Sequence, residues 1–175
     1  MSALNPALLE EPKRRKSSYG SFTRVVVIAI DSSDYSRRAF DWYVMQIWKA
    51  DDLVVFVHCP ETPRFPSFSF KNALSPPIDE WKKIMDEMNS NSQKLEEEYS
   101  ITCQSKKIKY KMRAEAEKNV GEGILRIAAE ERADLIVLGS RGTGESRMVK
   151  RGTVAEYVGR HSYIPVLIIP LKTNY

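Results

Sequence analysis

A cluster of glycines late in the chain is the part of the sequence best suited to bind an anion. Gly139, Gly142 and Gly144 follow an apolar run, and Gly152-Thr153 comes shortly afterwards. Glycines let a backbone turn sharply and present its N–H groups unobstructed, and the amino end of a helix attracts negative charge. The spacing predicts a phosphate site. The alternative is a loop that only turns the chain, for which fewer glycines would suffice.

This glycine pattern differs from two common nucleotide-binding motifs. A P-loop that began at Gly139 and Gly144 would require Lys at position 145, where the sequence has Glu145. Neither Gly142-Thr143-Gly144 nor Gly121-Glu122-Gly123 continues to the third glycine of a dinucleotide fingerprint. The pattern therefore disfavours P-loop chemistry and binding of NAD or FAD.

Alternating strands and helices must position these glycines. The run Val25 to Ile30 is continuously apolar, which is typical of a strand covered on both faces. We predict strands at 24–30, 53–59, 107–113, 134–138 and 165–169, and helices at about 35–49, 78–99, 120–132 and 152–161. The third strand alternates in polarity, which favours a half-exposed sheet edge. The fold class predicted is α/β, with a doubly wound five-stranded parallel sheet and helices on both faces.

Asp31 is a second candidate for ligand binding because it directly follows the first predicted strand. Ligands of doubly wound sheets bind outside the carboxyl ends of the strands, where the winding reverses. If the first and fourth strands are neighbours, Asp31 faces the glycine cluster across a crevice.

Other reactive side chains have ordinary structural explanations. His58 and His161 are isolated from clustered cysteines and carboxylates, so we expect no metal site. Cys59 has no evident base near it and is interpreted as a small apolar residue, while Ser33 and Ser36 are interpreted as helix-start residues. A nucleophilic role for any of the three is the less favoured alternative.

The composition indicates a single domain. The chain has 175 residues, of which 42% are hydrophobic and 29% charged, and no apolar run is long enough to span a membrane. Cys59 is expected in a strand and Cys103 in a connector, both as free thiols of a reducing compartment, so the cytoplasm is the expected location.

Charge and proline divide the chain into a domain with two tails. Residues 1–22 contain Lys13 to Lys16 and are predicted to be a disordered basic arm, with a nuclear-import or anion-binding signal as the less favoured alternative. The net charge is +4, and the rest of the chain is close to neutral, so no specific nucleic-acid partner is expected. Residues 23–171 form the predicted domain, 60–77 are a Pro/Phe-rich connector, and 172–175 are a short tail.

Three motifs together resemble the universal stress protein family over about residues 22 to 171. The motifs are Val25 to Asp31 followed by Ser33, the spacing Gly139-x2-Gly142-x9-Gly152-Thr153, and the ending from Ala155 to Leu167 that includes His161 and Pro165. The resemblance implies the strand order 3-2-1-4-5, a homodimer, and ATP as cofactor, with Mg²⁺ as an optional companion. Glu145, the long connector and the basic arm depart from the family pattern, and Lys150 and Arg151 could offset the charge of Glu145.

The resemblance also implies roles for particular residues. Ala29 and Asp31 would border the nucleoside, and the backbone at Cys59 would contact adenine. The ribose, phosphates and triphosphate would lie along Leu138, Gly139, Gly142, Gly152, Thr153 and Val154. No catalytic residue is expected.

The function predicted from the resemblance is ATP-dependent stress response or signalling, exerted through conformation or partner choice. The alternatives are a slow ATPase or a nucleotidyl-transferring enzyme on the same fold, and a scaffold with a vestigial nucleotide site. The sequence therefore leaves open whether the protein is an enzyme. We expect the last strand, Pro165 to Ile169, to pair two copies because it is aliphatic and lies at a sheet edge.

Overall fold

The computed structural model describes residues 13–60, 78–142 and 152–171. In chain order the elements are β1 (Arg15–Ser17), β2 (Gly20–Phe22), β3 (Arg24–Ala29), α1 (Asp34–Gln46), β4 (Asp52–His58), α2 (Ile78–Lys106), β5 (Lys109–Ala114), α3 (Val120–Glu130), β6 (Leu135–Gly139), α4 (Thr153–His161) and β7 (Val166–Ile169). Most of the connector (residues 61–77), the tail at 172–175, and Glu145, Lys150 and Arg151 lie outside the described residues.

The main sheet confirms the predicted fold class. Its five strands are parallel and lie in the order β5-β4-β3-β6-β7, which is the predicted order 3-2-1-4-5. The winding reverses at β3, whose neighbours are β4 on one side and β6 on the other. The crevice expected at a topological switch point therefore lies at the carboxyl ends of β3 and β6.

Alternate side chains of β3 enter two separate hydrophobic layers. Val25 and Val27 pack on the side of α3 and α4, whereas Val26 and Ile28 pack on the side of α1 and α2. All four are at most 2% exposed. Burial on both faces explains why this strand is apolar at every position after Arg24.

The helix α2 is longer than the sequence predicts and continues to Lys106. Leu95, Tyr99 and Cys103 recur every four residues on its buried side, so the apolar stripe extends one turn past the predicted end. The prediction that Cys103 lies in a connector is wrong. Both Cys59 and Cys103 are free thiols and both are buried.

The prediction of a disordered arm is wrong for residues 15–22, which form the antiparallel hairpin β1-β2. Arg15 pairs with the carboxylate of Asp134 and donates to the carbonyl of Arg132 at 3.0 Å. The side chain of Phe22 is 6% exposed and belongs to the core on the α3 and α4 side. The hairpin is thus attached to the domain by an ion pair and an aromatic side chain.

No helix within the described residues is both long enough and apolar enough to cross a lipid bilayer.

Candidate functional site

Asp31 lies just past β3, and its carboxylate is oriented by the start of α1. Oδ1 accepts hydrogen bonds from the backbone N–H of Ser33 at 2.9 Å and from the Ser33 hydroxyl at 2.5 Å. Ser33 is the N-cap of α1, and its Oγ accepts from the N–H of Ser36 at 3.2 Å. The helix-start role predicted for Ser33 is confirmed, and the same hydroxyl also fixes Asp31.

Ser36 connects this turn to α2. Its Oγ accepts from the N–H of Asp31 at 3.0 Å and lies 2.8 Å from the hydroxyl oxygen of Tyr99. Ser36 and Tyr99 are each 3% exposed. Burial raises the pKa of the Tyr99 hydroxyl to about 12, so this hydroxyl is protonated at neutral pH. Sequence reasoning placed Tyr99 only on an apolar helix face and missed this contact.

Gly142 lies directly beside Asp31. A Cβ atom added to Gly142 would be 2.5 Å from Oδ2 of Asp31, well inside van der Waals contact. The ends of β3 and β6 therefore meet across the crevice, as the sequence predicts. Only a residue without a side chain fits at position 142 while the Asp31 carboxylate keeps its position.

Gly139 and Leu138 contribute only backbone to the rim of the crevice. A Cβ atom on Gly139 would lie 2.7 Å from the backbone carbonyl carbon and oxygen of Tyr35, so this glycine lets α1 pack closely on β6. The side chain of Leu138 is 2% exposed and belongs to the core. Ala29 is half-buried at the end of β3, packed against the same core layer.

The amino end of α4 is held against the chain that follows β6. The N–H of Gly152 donates to the carbonyl of Ser140 at 2.7 Å, so this amide is already occupied. Gly152 has φ −71° and ψ 159°, an extended conformation open to any residue. Among the described residues no side chain caps α4. The amides of Thr153 and Val154 lie in the first turn of this helix, where backbone N–H groups have no carbonyl partner within the helix and carry partial positive charge.

Cys59 follows β4 at the neighbouring strand end, with its sulfur directed at α3. A Cβ atom on Gly123 would lie 3.0 Å from this sulfur. Burial, followed by the charges of Glu117 and Glu115, raises the pKa of the Cys59 thiol to about 11. A thiol with so high a pKa is a poor nucleophile at neutral pH, in agreement with its interpretation as an apolar residue.

The two histidines contact backbone carbonyls. Nδ1 of His58 lies 3.1 Å from the carbonyl oxygen of Ile30, and Nδ1 of His161 lies 2.8 Å from that of Tyr157. Within residues 13–60, 78–142 and 152–171, no group of three or more His, Cys, Asp or Glu side chains is arranged to hold a metal ion.

A partly exposed network of arginine and glutamate side chains lies near Cys59. Arg126 pairs with Glu115, Glu117 and Glu130, and Arg113 also contacts Glu115 and Glu130. Arg126 and then Arg113 lower the pKa of Glu115. Each of these carboxylates is paired with at least one arginine.

Comparison with known proteins identifies a family for the chain. The family model described as "Universal stress protein family" matches residues 23–170. No curated protein shows significant sequence similarity to the chain.

Three solved structures share the fold. The hypothetical protein MJ0577 has a TM-score of 0.68 at 19% identity, over 86% of this chain and 98% of that one. A universal stress protein family protein from Arabidopsis thaliana, solved with AMP bound, has a TM-score of 0.60 at 16% identity, over 86% and 94%. A universal stress protein in complex with cAMP has a TM-score of 0.55 at 19% identity, over 83% and 96%.

Proposed function

The chain belongs to the universal stress protein family, and from this we propose that it binds an adenine nucleotide, ATP, in the crevice between the carboxyl ends of β3 and β6. The observation that carries the proposal is the juxtaposition of Asp31 and Gly142. It brings a fixed carboxylate and an unobstructed backbone to the same point of the sheet.

The nucleoside is assigned to the Asp31 side of the crevice. A carboxylate oxygen accepts hydrogen bonds from ribose hydroxyls or from an exocyclic amine. Oδ1 is held by Ser33, so the carboxylate has a fixed orientation before any ligand arrives. Ala29 and the backbone at Cys59 complete this side because they lie at the ends of β3 and β4.

The phosphates are assigned to the amino end of α4. The amides of Thr153 and Val154 lie in the first turn of this helix, where partial positive charge accumulates. Gly152 contributes by its lack of a side chain, since a Cβ atom there would lie 3.3 Å from the Cα atom of Arg141. Its own amide donates to the carbonyl of Ser140. Mg²⁺ would accompany ATP through the phosphates.

Complexes of two structural neighbours with AMP and cAMP support an adenine nucleotide as the ligand. We propose that the bound nucleotide acts as a signal in a cytoplasmic stress response, through a change of conformation or of partner. ATP hydrolysis, if it occurs, is slow. Asp134 pairs with Arg15 at the opposite, amino edge of the sheet and cannot serve this crevice.

We also propose a homodimer through β7. This strand is at the edge of the sheet, and Val166, Leu167 and Ile168 are only partly buried. Unpaired backbone groups and apolar side chains at an edge favour pairing with a second copy. Sedimentation of the wild type and of Ile168→Lys tests this homodimer. A monomeric wild type, or a dimer that persists unchanged in Ile168→Lys, would refute the proposal.

Equilibrium dialysis of the purified full chain against ATP tests the proposed function. We expect saturable binding of one ATP per chain, and nucleotide that co-purifies with the recombinant protein would agree with it. No retention of ATP at ligand concentrations up to about 1 mM would reject the proposal. Phosphate release measured on the same samples separates a signalling protein from an ATPase.

A further inference from the structure

A buried pair of hydroxyl groups links α2 to the turn that carries Asp31. The Tyr99 hydroxyl and the Ser36 hydroxyl are 2.8 Å apart, and Ser36 Oγ also accepts the N–H of Asp31. Tyr99 and Ser36 are 63 residues apart in sequence. The contact is therefore made only by the packing of α2 against α1.

The aromatic ring of Tyr99 does not by itself require a hydroxyl. Its ring packs against Phe40 at 5.3 Å and against Phe56 at 5.2 Å between centroids, contacts that a phenylalanine would also make. A buried hydroxyl costs free energy unless it is hydrogen-bonded. At this position the cost is offset by the bond to Ser36.

The bonds around Ser36 form a closed circuit that holds the crevice carboxylate. Asp31 accepts from Ser33, Ser33 accepts from the N–H of Ser36, and Ser36 accepts from the N–H of Asp31. Of the described residues that these bonds join, Tyr99 comes from outside the turn. The Oγ atom of Ser36 thus has two partners at once, the Tyr99 hydroxyl and the N–H of Asp31.

We propose that Tyr99 is a positioning residue for nucleotide binding, which acts through Ser36 to hold Asp31 in the geometry that receives the nucleoside. The proposal rests on the proposed function. Tyr99 does not touch the ligand in this account, and its effect depends entirely on Asp31.

The test compares two variants that each remove one hydroxyl from the same aromatic cluster. Tyr99→Phe removes the hydrogen bond to Ser36. Tyr110→Phe is the control, because the ring of Tyr110 also packs on Phe56, at 5.9 Å between centroids. The Tyr110 hydroxyl makes no hydrogen bond to Ser36 or Asp31. Calorimetric titration with ATP and AMP should show binding weakened by roughly threefold to tenfold in Tyr99→Phe, as expected for one buried hydrogen bond. Tyr110→Phe should bind like the wild type.

A double-mutant cycle distinguishes positioning from general destabilisation. In an Asp31→Ala background, Tyr99→Phe should change the affinity by less than about twofold, since the group that it positions is gone. An equal loss in both backgrounds would overturn the proposal, as would unchanged affinity in Tyr99→Phe. Ser36→Ala removes the partner of Tyr99 together with the acceptor of the Asp31 N–H, so it should weaken binding at least as much as Tyr99→Phe, and a smaller loss would overturn the proposal. A wild type that binds no nucleotide would refute the proposed function and this proposal together, whereas a binding wild type with an indifferent Tyr99→Phe refutes this proposal alone.

Discussion

Gly142 and Asp31 lie so close together that a single methyl group at position 142 would come within 2.5 Å of the Asp31 carboxylate. Asp31 follows β3, and Gly142 follows β6, which is the neighbouring strand in the sheet. Asp31 is held in place by Ser33 and Ser36, so it cannot yield without loss of those bonds. The glycine is therefore required by the neighbouring carboxylate.

Gly142→Ala is expected to weaken ATP binding at least tenfold while the protein stays folded. The added Cβ must displace either the Asp31 carboxylate or the backbone that is proposed to approach the ligand. Titration calorimetry measures the loss, and circular dichroism monitors folding. The matched control is Gly159→Ala in α4, whose Cβ would make an ordinary 3.4 Å contact with Ile168 of β7. If both variants bound ATP equally well, the glycine loop would only turn the chain.

Gly139→Ala is expected to act on stability. Its Cβ would lie 2.7 Å from the backbone of Tyr35, so α1 must move away from β6 at a cost of about 1 to 3 kcal/mol. Urea unfolding followed by fluorescence gives the change in the free energy of unfolding. A variant as stable as the wild type would show that the contact between α1 and β6 is looser than described.

Phe22→Ala is expected to destabilise the domain by about 3 kcal/mol, the low end for loss of a buried aromatic side chain. The side chain belongs to the core although it lies in the hairpin that precedes β3. The control is Tyr19→Ala, since Tyr19 is 45% exposed at the tip of the same hairpin. Thermal melting compares the two, and equal melting temperatures would mean that the hairpin does not stabilise the fold.

The basic arm shows where sequence reasoning was insufficient. Residues 15–22 are attached to the domain in part by a pair between Arg15 and Asp134, which are 119 residues apart, and no local pattern reveals such a contact. Asp52 is similar. It begins a strand, yet it is fully buried and is bonded to Arg24 and to the hydroxyl of Tyr43. The contacts of Asp134 and of Asp52 both depend on which strand starts are adjacent in space, and the local sequence does not specify this.

The buried strands and the approach of Asp31 to Gly142 could be predicted because they follow from local signals and one topological rule. An unbroken apolar run marks a strand covered on both faces, and a charged residue directly after it marks the carboxyl end. The packing role of Gly139 and the hydroxyl contact of Tyr99 could not be predicted. They depend on how closely α1 and α2 approach their neighbours, which periodicity does not specify.

The two cysteines should be unreactive in the folded protein near about pH 8, where an ordinary exposed thiol reacts readily. Burial raises the pKa of Cys103 from 9.0 to about 12, and that of Cys59 to about 11. Because the unfolded chain releases these protons first, the folded state should lose stability as the pH rises above 9.0. Reaction with DTNB before and after denaturation tests accessibility. Rapid reaction of both thiols in the native protein would contradict the described burial.

The most direct test of the central claim is a calorimetric titration of ATP, ADP and AMP into the wild type and Asp31→Ala. Asp31 is proposed to contact the nucleoside, which all three ligands share. We expect one site per chain in the wild type, and in Asp31→Ala a loss of affinity by the same factor for each ligand. Asp31→Asn keeps an oxygen for Ser33 and should lose less affinity. Saturable binding that Asp31→Ala leaves unchanged, or a loss confined to ATP, would contradict the assignment of the nucleoside to this crevice.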